Sequence, residues 1–206
     1  IGISNQRETV AIWDKVSGKP VYNAIVWQCG RAVEQCSRIS DKAERVQQIT
    51  GLPLSPYFSA AKAAWILEQP QIGAMKGLAI GTMDSWLLWK LCGVHQTDYS
   101  NAARTQLFDI QKLCWSEEVC ELFGISRDQL PEVCASDEVF GYSDLEGTFE
   151  RPLPICGVLG DSNGALLAQG CFSKGETKGT FGTGSSIMMN AGKSFPGTDR
   201  DVATSL

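Results

Sequence analysis

Leu153-Pro154-Ile155-Cys156-Gly157-Val158-Leu159-Gly160-Asp161-Ser162-Asn163-Gly164-Ala165-Leu166-Leu167-Ala168 decides the fold. The first half is an apolar run that reads as a buried strand, and the second half suits a helix. Asp161 therefore stands where a strand hands over to a helix. Crevices at such strand ends are where open α/β sheets bind their ligands. Further along, Gly179-Thr180-Phe181-Gly182-Thr183-Gly184-Ser185-Ser186 places a turn of short side chains between two strand-like runs, able to offer backbone N–H groups to an anion. A base and a phosphate cradle together point to phosphoryl transfer onto a hydroxyl.

Composition narrows the field. With 206 residues, 43% of them hydrophobic, the chain can build one good core, or one large domain with part of another. Its net charge of -5, with interspersed signs, argues against a nucleic-acid surface. No apolar stretch approaches the ~20 residues that span a bilayer, and no leader-like segment opens the chain. The eight cysteines include no Cys-x-x-Cys pair, and Cys36, Cys92 and Cys156 lie in apolar stretches, which predicts buried free thiols in a reducing cytoplasm. His95 is the single histidine, so histidine metal pairs and a Ser-His-Asp relay lose support. The start at Ile1-Gly2-Ile3-Ser4 and the stop at Leu206 read as cuts through a larger protein.

Outward from Asp161, residues 10–13 and 21–27 are β-rich and joined by a Gly18/Pro20 loop that predicts a hairpin. Apolar positions 29, 32, 33, 36 and 39 follow helical spacing, and residues 41–49 continue in that style up to the breaker Thr50-Gly51-Leu52-Pro53. Ser59 is expected to cap a helix reaching Glu68. Residues 78–81 predict a buried strand feeding an apolar helix over 82–91, with Trp86 and Trp89 as core. The order of strands and helices favours α/β with a mixed sheet and flanking helices.

Seven segments then resemble, in order, those of the FGGY carbohydrate kinases, and among them the glycerol kinases. They are residues 5–9 (Asn-Gln-Arg-Glu-Thr), 25–29 (Ile-Val-Trp-Gln-Cys), 56–59 (Pro-Tyr-Phe-Ser) with Lys62 and Trp65, 81–91, 97–105, Gly160-Asp161 and Gly182-Thr183-Gly184. The resemblance implies an actin-like (ribonuclease H-like) fold and an ATP-dependent kinase of a small polyol or sugar, with Mg²⁺. It further implies a cytoplasmic protein that assembles, at full length, as a dimer or tetramer. Residues 1–168 would be most of the acceptor-binding domain without its first strands, and 169–206 the beginning of the nucleotide-binding domain. A phosphate-contacting Asp-x-Gly-Thr-Thr turn is not among these residues, so the isolated piece is expected to be inactive.

By that resemblance Asp161 is the base that takes the hydroxyl proton, and it also orients Mg²⁺ through water. A helix cap is the competing reading of the same residue. Arg7 and Glu8 resemble the polyol-binding pair, since a guanidinium fork and a carboxylate together donate to and accept from adjacent hydroxyls. Both reach one ligand only if residues 5–9 leave strand geometry, because neighbours in a strand point to opposite faces. Trp27 would wall the carbon side of the acceptor and Tyr57 meet a hydroxyl, although either could be ordinary core. Lys62 reads equally well as a solvated helix residue. Gly182, Thr183 and Gly184 would contact the transferred phosphate. Ser162 and Asn163 stand where glycerol kinases usually carry Gln-Gln, which leaves room beside the base for an acceptor longer than glycerol. A pentulose or tetritol kinase and a non-catalytic polyol-binding protein therefore stay in view.

Overall fold

The computed structural model describes residues 1–181, 185–193, 195–197 and 202–206. The chain opens with strands β1 (Gly2–Asn5) and β2 (Val10–Asp14), then helices α1 (Val33–Ser37), α2 (Ala43–Thr50) and α3 (Ser59–Leu67). Next come β3 (Leu78–Thr82), α4 (Met83–Cys92), β4 (Gln96–Asp98), the single turn α5 (Tyr99–Ala102), β5 (Phe108–Asp109), β6 (Cys114–Trp115) and α6 (Glu117–Leu122). The remainder runs through β7 (Glu132–Cys134), β8 (Gly141–Ser143), β9 (Leu153–Ile155), β10 (Gly157–Gly160), α7 (Asp161–Ala168), β11 (Thr177–Phe181) and β12 (Ser185–Met189).

Strand pairing is of both senses, as the mixed α/β reading requires. β1 runs parallel to β10 and β4 to β7, while β2–β3, β5–β6, β8–β9 and β11–β12 are antiparallel. The β1–β10 register ends on the pair Asn5↔Gly160. Whatever follows Asn5 and whatever follows Gly160 must therefore leave the ladder side by side. That pairing brings the two halves of the candidate site together.

The main core lies where α3 covers β2. Ala60, Ala61 and Ala63 are fully buried, as are Val10 and Ile12, and the alanines let the helix backbone approach the strand closely. Each buried Val or Ile contributes on the order of 1.5–3 kcal/mol. A second cluster of Ile3, Leu88, Ile155 and Val158 fastens the β1–β10 pair to α4. The predicted tryptophan packing is present: Trp13, fully buried, meets Trp86 edge-on at 5.2 Å and Trp89 at 5.8 Å.

Several local expectations need correction. Residues 21–27 do not form the second strand of a hairpin. Residues 20–25 return alongside β2 through two isolated bridges, Val10↔Ile25 and Trp13↔Pro20. Ile25 is buried, but Val26 and Trp27 are exposed, so the stretch lacks a continuous buried face to hold a strand. The helix predicted from residue 29 is confined to α1, followed by a 3₁₀ turn at Ser40–Lys42. Ser59 does not cap α3; Phe58 holds the cap position, and the Ser59 hydroxyl donates instead to the Glu8 carbonyl at 3.1 Å. Each cysteine is a free thiol, yet Cys156 is exposed where β9 passes into β10 and its neighbours Ile155 and Val158 take the buried positions.

His95 lies against Trp13 with ring centroids 5.1 Å apart, and its Nε2 is 3.0 Å from the Ile80 carbonyl, which can only accept. Nε2 therefore carries a proton, and burial, outweighing that bond, pushes the pKa from 6.5 down to about 4, which keeps the ring neutral near pH 7. As pH falls below 6.5 the unfolded chain takes up this proton first, so stability is intact above that value and is lost toward pH 4, by about 2 kcal/mol at pH 5. Asp84 titrates in the opposite sense, since burial raises it to about 6. His95→Gln keeps an amide donor for Ile80 and keeps Asp84, so the variant should lose less melting temperature than the parent between pH 7.5 and pH 5. Equal losses of melting temperature in the two proteins across that ~2.5-unit pH interval, which spans the titration of the unfolded histidine, would sink this account.

Candidate active site

Residues 6–9 leave strand geometry between β1 and β2, and this break lets Arg7 and Glu8 serve one space. Both are buried, at 8% and 3% exposure. Arg7 donates from Nη1 to Asn163 Oδ1 at 3.0 Å, and its Nε lies 3.8 Å from Asp161 Oδ1. Glu8 Oε1 accepts from Arg104 Nε at 2.7 Å and lies 3.9 Å from Arg7 Nη2. The parallel register thus converts two distant sequence segments into one cluster: Asp161, Arg7 and Glu8.

Asp161 is the first residue of α7, with Gly160 at the cap. Its carboxylate Oδ1 accepts from the next N–H, that of Ser162, at 2.6 Å, so the simple capping role is not what holds it. The side chain is 55% exposed, available to a ligand on its open side. Gly160 is required by Arg7: a Cβ built there would stand 2.5 Å from Arg7 Cδ. Burial holds the Arg7 pKa below its ordinary value, reinforced by Arg104 and opposed by Glu8 and Asp161.

Arg7 Nε is buried and has no hydrogen-bond partner among the described residues. Leaving a buried donor unpaired costs about 1–3 kcal/mol. Arg7 and Arg104 flank the Glu8 carboxylate at 3.9 and 2.7 Å, the buried Lys62 ammonium feels its charge, and Asp161 lies on the other side of Arg7.

The aromatic wall is assembled from three segments. Tyr57 lies 5.5 Å from Trp27 and 5.2 Å from Phe58, with the Arg104 guanidinium 6.0 Å from the Tyr57 ring and 5.1 Å from the Phe58 ring. Trp27 is 37% exposed and so is not core. Burial and the adjacent Glu8 raise the Tyr57 phenol pKa, keeping it a neutral donor. Lys62 is not a solvated helix residue. Its Nζ donates to the Tyr57 carbonyl and, at 3.0 Å, to that of Phe58, and burial lowers its pKa to about 8 although Glu8 pulls upward.

Ser162 is half-buried beside Asp161, and its hydroxyl makes no hydrogen bond among the described residues. Gly182, Thr183 and Gly184 lie outside the described residues; the strands on either side of them, β11 and β12, pair as a hairpin. Sequence reading included Arg104, Asn163 and Lys62 in its segments without foreseeing their contacts with Glu8, Arg7 and the Tyr57 and Phe58 carbonyls. Arg104 stood within one of the seven segments, but nothing in its spacing tied it to Glu8. Among the described residues no group of three or more His, Cys, Asp or Glu could hold a metal by itself. One accessible carboxylate, which Asp161 supplies, nevertheless suits Mg²⁺, a cation that keeps most of its waters.

A carboxylate at a strand end, a guanidinium–carboxylate pair beside it and an aromatic wall thus stand together, and residues 1–168 match the model of the FGGY family of carbohydrate kinases, N-terminal domain. The chain belongs to that family. It is 48% identical to glycerol kinase 1 of Thermotoga maritima and 45% identical to the glycerol kinase of Halothermothrix orenii, in each case over its whole length and 43% of the relative. Among solved structures it resembles Plasmodium falciparum glycerol kinase with ADP, with a TM-score of 0.88 and 40% identity over 92% of this chain and 39% of that one. A xylulose kinase from Rhodospirillum rubrum shares the fold, with a TM-score of 0.82 at 20% identity over 91% of this chain and 39% of that one. The architecture is accordingly the actin-like α/β fold of the FGGY sugar kinases. The chain spans about 43% of the length of the curated relatives it matches.

Proposed function

We propose that the full-length protein containing this chain transfers the γ-phosphoryl group of ATP to a hydroxyl of glycerol or a closely related small polyol. The observation that carries the reading is the β1–β10 register, which sets Arg7 Nε 3.8 Å from the Asp161 carboxylate with Glu8 on the other side of the same guanidinium at 3.9 Å. Arg7 donates to one acceptor hydroxyl, Glu8 accepts from the next, and Trp27 and Tyr57 enclose the carbon side. Asp161 takes the proton of the attacking hydroxyl as its oxygen bonds to the γ-phosphorus and the bridging bond to the β-phosphate oxygen breaks, releasing ADP. Mg²⁺, held by Asp161 through water, would neutralise phosphate charge. Thr183, between Gly182 and Gly184, meets the terminal phosphate.

In this reading residues 1–168 bind the acceptor and 169–206 begin the nucleotide-binding domain, so the isolated piece has no turnover. The protein works in the cytoplasm; no helix among the described residues is long and apolar enough to cross a membrane. The free Ser162 hydroxyl favours some tolerance of acceptors longer than glycerol. The test is ADP release by the full-length protein with glycerol, erythritol, xylulose and ribulose in parallel. Glycerol or erythritol should exceed the pentuloses in kcat/KM by about tenfold or more. Preference for a pentulose would overturn the acceptor assignment, and no ADP release with any of the four would overturn the kinase.

A further inference from the structure

The site's two halves are set against each other by one short segment, residues 98–104. β10 uses one edge to pair with β1. On its other edge the Val158 N–H donates to the Ser136 carbonyl at 2.9 Å. Two residues on, the same edge presents the Gly160 N–H, and here the acceptor is a side chain: Ser100 Oγ, at 2.8 Å. This is the last amide before Asp161.

Ser100 is itself fixed. It is 3% exposed, and its hydroxyl proton is committed to Asp98 Oδ2 at 2.6 Å, which turns an oxygen lone pair toward Gly160. Asp98 has no exposed surface and is saturated. It also accepts from Ser100 N, Ser136 Oγ, Asn101 N and Asn101 Nδ2 at 3.1, 2.7, 3.0 and 2.7 Å. The adjacent Asn101 exchanges amide bonds with Asn5, receiving at 2.9 Å and donating at 3.3 Å. Asn5 and Gly160 are the last matched pair of the β1–β10 ladder. Consecutive residues of one helical turn thus grip both strand ends, and the segment finishes with Arg104 on Glu8 at 2.7 Å.

We propose that Ser100, anchored by Asp98, is a positioning residue that fixes the Leu159–Gly160 peptide, the one immediately preceding the Gly160–Asp161 turn into α7, so that the base meets the acceptor hydroxyl held by Arg7 and Glu8. The inference rests on the kinase reading given above. Ser100 touches no substrate; it acts through Gly160. Its removal loosens the base while Glu8 stays on Arg104, and the end of β1 that leads into Arg7 stays on Asn101 through Asn5. Turnover and acceptor affinity should therefore separate.

The test is Ser100→Ala in the full-length kinase, with Ser100→Thr as the conservative variant. For Ser100→Ala, kcat should fall about ten- to a hundredfold, with the glycerol dissociation constant unchanged within about twofold. Hydrogen exchange of the peptide spanning residues 157–163 should accelerate while the rest of the protein exchanges as before. Ser100→Thr, which keeps the hydroxyl, should recover most of the turnover. An unchanged kcat, loss of turnover and affinity together, acceleration spread over the whole fold, or no rescue by threonine would each overturn the positioning role. Wild type assayed alongside separates the two readings: an inactive wild type ends the kinase assignment and this inference with it, whereas an active wild type with an equally active Ser100→Ala ends this inference alone.

Discussion

Asp161→Asn in the full-length kinase should lower kcat by about a thousandfold or more, within the range expected when a positioned base is removed. The side chain keeps its size, and its amide oxygen can still accept from the Ser162 N–H now found at 2.6 Å. What it loses is the ability to take a proton. The ion pair to Arg7 is long, 3.8 Å, and Asp161 is half-exposed, so its loss should cost the fold little. Arg7, Glu8, Trp27 and Tyr57 remain as they are, and glycerol affinity measured by calorimetry should change by no more than about threefold. A variant retaining within about tenfold of wild-type turnover would remove Asp161 from the base role. A variant that loses glycerol binding and turnover equally would instead make Asp161 an acceptor ligand.

Arg7→Ala should raise the KM for the acceptor by about thirtyfold or more, while the KM for ATP stays within about twofold. The magnitude follows from charge-assisted hydrogen bonds of about 1.5–3 kcal/mol. Deleting the side chain also releases Asn163 and empties the space above Gly160 that Arg7 now fills. Some structural cost is therefore built in. Arg7→Lys separates the two effects, because it keeps the charge and most of the stem but loses the planar fork. The lysine variant should melt close to wild type and still bind the acceptor poorly. Equal losses for acceptor and ATP in both variants would point to a misfolded protein and away from an acceptor contact.

Much of this site was legible in the residues. The strand-to-helix change at Asp161 follows from local composition, and so does the break between β1 and β2, because the polar run Asn5-Gln6-Arg7-Glu8-Thr9 cannot sustain a buried strand. The condition set by strand alternation, that Arg7 and Glu8 share a ligand only if the strand ends first, is met by that break. Lys62 shows the opposite case. A lysine among alanines reads as a solvated face, yet it is fully buried with its ammonium on the Tyr57 and Phe58 carbonyls. The return of residues 21–27 failed as a strand for a related reason: β-propensity was present, but a continuous buried face was not.

The chain's own order of residues determined the alternation of strands and helices, the carboxylate at the end of β10 and the family, since each depends on neighbours within a few positions. Only the tertiary structure decided that Asn5 lies opposite Gly160, that Arg7 occupies the space over that glycine, that Arg104 holds Glu8, and that Ser100 holds the Gly160 N–H ahead of Asp161. Parallel pairing and side-chain contacts between remote segments are selected by the packing of the whole core, and no local pattern encodes a partner so far along the chain.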